Sequence, residues 1–232
     1  MDSFGSMIRS IHFSLVSPFD FKLTRDLISS PHNGQNITRD NLMEALTDVY
    51  GLSNAFAGFF TDGALNAFGE VDESQTKFLP NLTVLNTPHR LEHDASLTRK
   101  DQAIALRDGD IDNLKIDQEL ITKVEAASAD GQTLTISDFA KLRRERYAES
   151  LRETPEFKNN WSAIAQTAAF GEAALMLLVF GDGSSVPLQS VKSVFADEKL
   201  PADFVKPAKD SVTWPRFLKT IARIRIKAGW SA

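Results

Sequence analysis

Apolar positions along the chain repeat mostly at three- and four-residue spacing, the period of helices that turn one face inward. Leu42, Ala45, Leu46 and Val49 keep this spacing up to Gly51, a residue suited to ending a helix. Ser53 opens a second stretch that carries Phe56, Phe59 and Phe60. From Asp112 to Ala127, Leu114, Ile116, Leu120, Ile121 and Val124 recur at mixed helical spacing. Thr135 and Ser137 stand where N-caps belong, and Asp138 follows Thr135 in capping-box register. The helix predicted there runs to about Glu153, where Thr154-Pro155 stops it. Trp161 to Phe180 is the most apolar stretch, about one turn short of a comfortable membrane span and interrupted by Gln166 and Glu172. A segment apolar on all sides predicts a core helix, ended here by Gly181-Asp182-Gly183. Strict alternation suffices for at most a short β-hairpin, and neither an internal repeat nor a low-complexity linker is present. The fold class read from this pattern is mostly α, in a single helical domain.

Composition adjusts the picture little. The 232 residues are enough for one domain with a sizeable core, and 42% apolar with 25% charged is ordinary for a globular chain. A net charge of −5 argues against nucleic acid or an anionic membrane as partner. The exception is the tail, where Arg216, Lys219, Arg223, Arg225 and Lys227 interleave with apolar residues, read as a terminal helix or strand with a solvated face. Cysteine is absent, which rules out disulfides, zinc–thiolate sites and cysteine nucleophiles within these residues. The first residues lack the charged start and continuous apolar run of a secretory signal, so the three sequons beginning at Asn36, Asn81 and Asn160 read as chance matches. The expected location is cytoplasmic.

Three stretches concentrate chemistry. Glu92-His93-Asp94-Ala95-Ser96, followed by Asp101, packs an imidazole, carboxylates and a hydroxyl into ten residues. Such a set suits a hard cation, or a histidine tuned for proton transfer; on the residues alone, caps and ion pairs at a helix start are the commoner explanation. Glu172 is alone in an apolar run, so it must be neutral, paired with an arginine, or at a cavity where it can act as acid or base. Asp108, Asp110, Asp112 and Glu119 imitate a calcium loop, but Asn113 replaces its turning glycine and Lys115 its apolar residue. A loop leading into an acidic helix start is the better reading. No phosphate-binding glycine loop or nucleophile elbow is present.

Several of these stretches together resemble the fungal haem-thiolate peroxidases of the chloroperoxidase type. Pro31-His32-Asn33-Gly34 resembles the family's entry segment, and Glu92-His93-Asp94-Ala95-Ser96 its E-H-D-x-S motif. Phe170-Gly171-Glu172 resembles the distal glutamate helix, and the stretch ending Asp197-Glu198-Lys199-Leu200-Pro201 the closing segment. The resemblance implies a divergent segment over 1–29, a helical domain over 30–205 and a C-terminal extension over 206–232. It also implies Glu172 as distal acid–base, His93 as its hydrogen-bonded partner and Asp101 behind that histidine. Glu92, the His93 carbonyl and Ser96 would be ligands to Mg2+ or Mn2+. Ala165 replaces the arginine that the peroxygenase branch carries seven residues before its glutamate, which places the chain with the chloroperoxidase branch. The departure lies at the family's P-C-P turn, which falls on Ser17-Pro18-Phe19, where nothing donates sulfur; thiolate supplies the electron push for O–O cleavage. His12 is the available substitute ligand, while His32 and His89 read as non-ligating.

The expectation is therefore an enzyme without haem that uses Glu172, His93 and Asp101 for isomerisation, dehydration or cyclisation of a small apolar secondary metabolite. Phe56, Phe59, Phe60 and Phe170 would line its pocket. A haem peroxidase or haloperoxidase with another axial ligand, and a non-catalytic binder of an apolar ligand, are the alternatives.

Overall fold

The computed structural model describes residues 35–81, 84, 93–110 and 115–230. Helix α1, Arg39–Glu44, starts on a capping box between Thr38 and Asn41 and continues as a π-helical turn over Ala45–Val49. Helix α2 spans Asn54–Phe68, α3 Gln102–Arg107 and α4 Gln118–Ala126. Helix α5 spans Ile136–Glu153 on the Thr135–Asp138 capping box read from the sequence, and Thr154 closes it. A short α6, Phe157–Asn160, precedes α7, Ala163–Val179, which is capped by Ser162. Helices α8, Leu188–Phe195, and α9, Trp214–Ala228, complete the order.

One difference from the sequence expectation has a local cause. The helix expected from Asp112 begins after Asp117, whose carboxylate accepts from the Leu120 N–H at 2.9 Å; residues 111–114 lie outside the described set. Just before it, Ile116 bridges to Arg99 in extended form. The basic tail, expected as a terminal helix or strand, is a helix, in agreement with that reading: Thr213 caps it, Pro215 sits in its first turn, and Phe217, Thr220, Ile221, Ile224 and Ala228 recur inward at helical spacing.

The strands form two small antiparallel sheets. Strands β1 (Gln35–Thr38), β2 (Glu70–Val71) and β3 (Lys77–Asn81) pair in the order β1-β3-β2, with Ile37 opposite Leu79. Strands β4 (Thr133–Thr135) and β5 (Ser185–Pro187) pair with Leu134 opposite Val186. Each of these pairs buries one residue per strand, too short a pattern for alternation to register in the sequence.

Helix α7 supplies the centre of the core, with Ala168, Ala169, Phe170, Ala173, Ala174, Met176 and Leu177 buried. Helix α9 packs on both α5 and α7, which also touch each other. Gly51 links the end of α1 to this layer: at φ +67° its carbonyl accepts from the Val212 N–H at 2.9 Å, and a Cβ there would lie 2.8 Å from the Ala208 carbonyl oxygen. Among the described residues no helix is long and apolar enough to cross a membrane. Phe217 is fully buried, 5.0 Å from Phe56 and 5.8 Å from Trp214 between ring centroids. Its replacement by alanine is expected to cost about 3–5 kcal/mol, read from denaturant unfolding midpoints; a loss below 1 kcal/mol would mean that α9 is not part of the cooperative core.

Candidate active site

Helix α5 builds one wall. Phe139, Arg143, Arg146 and Ser150 follow a 4-3-4 spacing and are all buried, so two arginines occupy positions where an inward stripe would carry apolar residues. Burying a guanidinium requires acceptors, and the loop from His93 to Asp101 supplies them. Arg143 donates through Nη1 to the Ala95 carbonyl at 3.1 Å and through Nη2 to Glu172 Oε2 at 2.8 Å. Arg146 donates from Nε to the Ser96 carbonyl at 2.7 Å, from Nη2 to Asp101 Oδ1 at 3.0 Å and from Nη1 to Glu149 Oε2 at 2.8 Å.

Glu172 projects from the middle of α7 and forms an ion pair with Arg143, in which the arginine side chain is 2% exposed and the glutamate 20%. Of the situations the sequence allowed for this residue, pairing with an arginine is the one present. Burial lowers the Arg143 guanidinium to about 10, opposed by the Glu172 charge, so the arginine remains a cation at neutral pH. His93 is partly buried beside the pair. Its Nδ1 lies 2.9 Å from the Asp94 carbonyl oxygen, which can only accept, so Nδ1 carries the proton and Nε2 keeps its lone pair. Burial lowers the imidazole below its ordinary value of 6.5, the Glu172 carboxylate pulls it back up, and Arg143 pushes it down again. At neutral pH the ring is an uncharged base.

Asp101 lies close enough for its charge to act on the imidazole, and its oxygens bond to the loop and to α5. Its Oδ1 accepts from the Ala95 N–H at 2.8 Å and from Arg146, and its Oδ2 accepts a short hydrogen bond from Thr154 Oγ1. The carboxylate thus holds the loop that carries His93, while the Asp94 carbonyl holds the ring itself. Arg143, Arg146 and Thr154 escaped the sequence reading; the two arginines on the inward stripe of α5 were the signal that could have found them.

The phenylalanines lie in the core. Phe56, Phe59 and Phe60 cluster with Trp214, the Phe56 and Phe60 rings 4.8 Å apart and the Phe59 and Trp214 rings 4.7 Å apart. Phe170, 1% exposed, packs edge-on against Trp230 at 5.1 Å, with the Arg225 guanidinium 5.9 Å from its ring centre. A cavity of about 500 Å3 opens beside α3, α4 and α5. Asp101, Arg146, Ser150 and Thr154 are among its lining residues, and neither Glu172 nor His93 is.

Residues 30–209 match the model of the family described as "Peroxidase, family 2". The chain belongs to that family. It is also 28% identical over 208 residues to a chloroperoxidase of Leptoxyphium fumago, a match covering 86% of this chain and 49% of that protein. The chain therefore spans about half the length of the curated relative it matches.

Membership brings two groups to test against the residues present. A haem-thiolate needs a sulfur donor, and the chain contains no cysteine. Among the described residues the sole imidazole is His93, on the Glu172 side with Nδ1 committed to Asp94; Ser17-Pro18-Phe19, His12, His32 and His89 lie outside them. This donor set does not fit a haem-thiolate. Of the residues proposed to hold Mg2+ or Mn2+, Glu92 lies outside the described residues, and the Ser96 hydroxyl accepts from the Thr98 N–H at 3.2 Å. Among the described residues no three His, Asp or Glu side chains gather as a ligand set.

Two measurements follow. Asp101→Asn keeps the shape but removes the charge facing Arg146, and is expected to destabilise the fold by about 3–5 kcal/mol in denaturant unfolding; a neutral result would show that the pair is replaceable. The His93 imidazole binds a proton more weakly folded than unfolded, so the unfolded chain holds more protons between the two values. Its contribution is thus fully present above about pH 6.5 and lost as pH falls towards the folded value. The difference in unfolding free energy between wild type and His93→Gln is expected to shrink on going from pH 8 to pH 5, and a constant difference would remove the lowered value.

Proposed function

We propose that this chain is a small-molecule enzyme that works without haem, moving a proton with His93 and Glu172. The observation that carries the reading is the His93 Nδ1 set 2.9 Å from the Asp94 carbonyl oxygen, beside a carboxylate held by the buried Arg143. In this reading the His93 Nε2 lone pair takes a proton from a C–H made acidic by a neighbouring carbonyl or double bond. The imidazolium so formed is stabilised by the Glu172 charge, the same influence that raises the proton affinity of the resting ring. Returning that proton to another carbon gives an isomerisation; delivering it to a departing hydroxyl gives a dehydration or opens the way to cyclisation. Arg143 prevents Glu172 from swinging away, and Asp101 acts on the loop rather than on the proton. Proton transfer by such a pair is worth about 10²–10⁴ in rate, suited to a reaction with a modest barrier. An apolar organic substrate of secondary metabolism is the proposed class, and the proposed setting is the cytoplasm. Mg2+ or Mn2+ bound through Glu92 and Ser96 would be a structural partner of the loop.

The test combines two readouts on the purified chain. With equimolar haemin, no Soret band at one haem per chain is expected. With 5-nitrobenzisoxazole, whose ring opens when a desolvated base removes one proton, the chain is expected to accelerate opening, and His93→Gln to lose about 10²-fold or more of that acceleration. Glu172→Gln is expected to slow it as well, since the imidazolium loses its counter-charge. Stoichiometric haem binding with peroxide-dependent turnover would overturn the reading in favour of a peroxidase. Tight binding of an apolar probe with no proton transfer would turn it towards a binding protein.

A further inference from the structure

The loop that carries His93 contains a backbone conformation that side-chain residues seldom adopt. Ala95 has φ +62°, the left-handed region, without being glycine, asparagine or aspartate. Strain of this kind persists where the surroundings over-determine it, and both polar groups of the Ala95 backbone are held by buried charges. Its N–H donates to Asp101 Oδ1 at 2.8 Å, and its carbonyl accepts from Arg143 Nη1 at 3.1 Å. The next carbonyl, of Ser96, accepts from Arg146 at 2.7 Å, and Arg146 also reaches the same Asp101 oxygen at 3.0 Å. Thr154, at the end of α5, fixes the other Asp101 oxygen. The side chains of Arg143, Arg146 and Asp101 are 2%, 7% and 2% exposed, so these bonds are made away from competing water.

The geometry has one further property. Arg143 holds the strained carbonyl with one nitrogen and Glu172 with another, so a single rigid guanidinium sets the carboxylate on α7 relative to the loop two residues after His93. We infer that Arg143, Arg146 and Asp101 are positioning residues that clamp Ala95 in its left-handed conformation, and that this clamp aims the His93 imidazole and the Glu172 carboxylate at one another. The inference rests on the proposed proton transfer by His93 and Glu172. Arginine at 143 is required for the two directed bonds, which the single ammonium of lysine does not reproduce. Arg146 acts through Ser96 and Asp101 and never meets the reacting atoms.

Glycine at position 95 is the direct test, because it accepts φ +62° without strain and equally accepts other conformations. Ala95→Gly is expected to unfold at the same or a higher temperature than wild type while slowing 5-nitrobenzisoxazole opening on the order of 10²-fold, the cost of a small misplacement of a catalytic group. A loop held only for stability would show the temperature change and keep the rate, which overturns the inference while leaving the proposed reaction in place. The readout independent of turnover is the 15N spectrum of the His93 ring at pH 8. Wild type is expected to show one tautomer, protonated at Nδ1; Ala95→Gly and Arg143→Lys are each expected to shift towards the Nε2-protonated form that an unconstrained histidine side chain prefers. If both variants keep the single wild-type tautomer, the clamp does not aim the ring, whether or not the probe reacts. If wild type fails to open the probe, the proposed reaction falls and the spectrum alone decides the clamp.

Discussion

Two guanidinium groups buried on one face of α5 constrain everything around them. Arg143 and Arg146 leave water at positions where the helix would otherwise bury apolar side chains, and each charge must be met by acceptors that are themselves desolvated. The acceptors are the Ala95 and Ser96 carbonyls and the Asp101 carboxylate of one loop, Glu172 on α7 and Glu149 on α5 itself. Any register of α5 other than the observed one would strand at least one of these charges. Buried ion pairs are weak contributors to net stability, because desolvation offsets most of the attraction, but they are strict about geometry. Here that strictness fixes an irregular loop that has little regular hydrogen bonding of its own.

The same arginines alter what the family resemblance means at this site. The peroxygenase branch sets an arginine on the glutamate's own helix, and the equivalent position here is Ala165. An arginine nevertheless meets Glu172, delivered from α5 across a helix–helix contact. The chain thus combines the histidine of the chloroperoxidase branch with an arginine–glutamate pair. The carboxylate is tied to a cation beside the imidazole, and the sulfur donor that peroxide cleavage relies on is missing from the chain. The hydrogen bonds of His93 and Asp101 go to different partners. Asp101 is spent on the loop backbone, and the ring is oriented by the carbonyl of its own neighbour, Asp94.

The aromatic residues show how the core and the site compete for the same side chains. Phe56 is closed over by Trp214 and Phe217 from α9, Phe59 by Trp214, and Phe170 by Trp230 just beyond it. The C-terminal helix is therefore a structural lid on the aromatic face of α2 and α7. Arg216, Lys219, Arg223 and Lys227 lie outward because its apolar residues, at three- and four-residue spacing, are consumed by that packing, while Arg225 is half-buried over the Phe170 ring.

Much of this was decided by local sequence. The capping pairs at Thr38 and Thr135, the apolar run of α7, the stop at Thr154-Pro155 and the helical class follow from chemistry within a few residues, since propensity, capping and periodicity act over one or two turns. So does the choice of Glu172 and His93 as candidate chemistry, because an isolated carboxyl in an apolar helix and an imidazole among carboxylates are anomalies visible in a linear string. Which partner each anomaly takes was decided only by tertiary structure. Arg143 is 29 residues from Glu172 and 48 from Ala95, and Arg146 is 45 from Asp101. At such separations nothing local ranks one arginine above another; the choice belongs to the packing of α5 on α7, which brings a particular pair of charges together and excludes the water that would otherwise separate them.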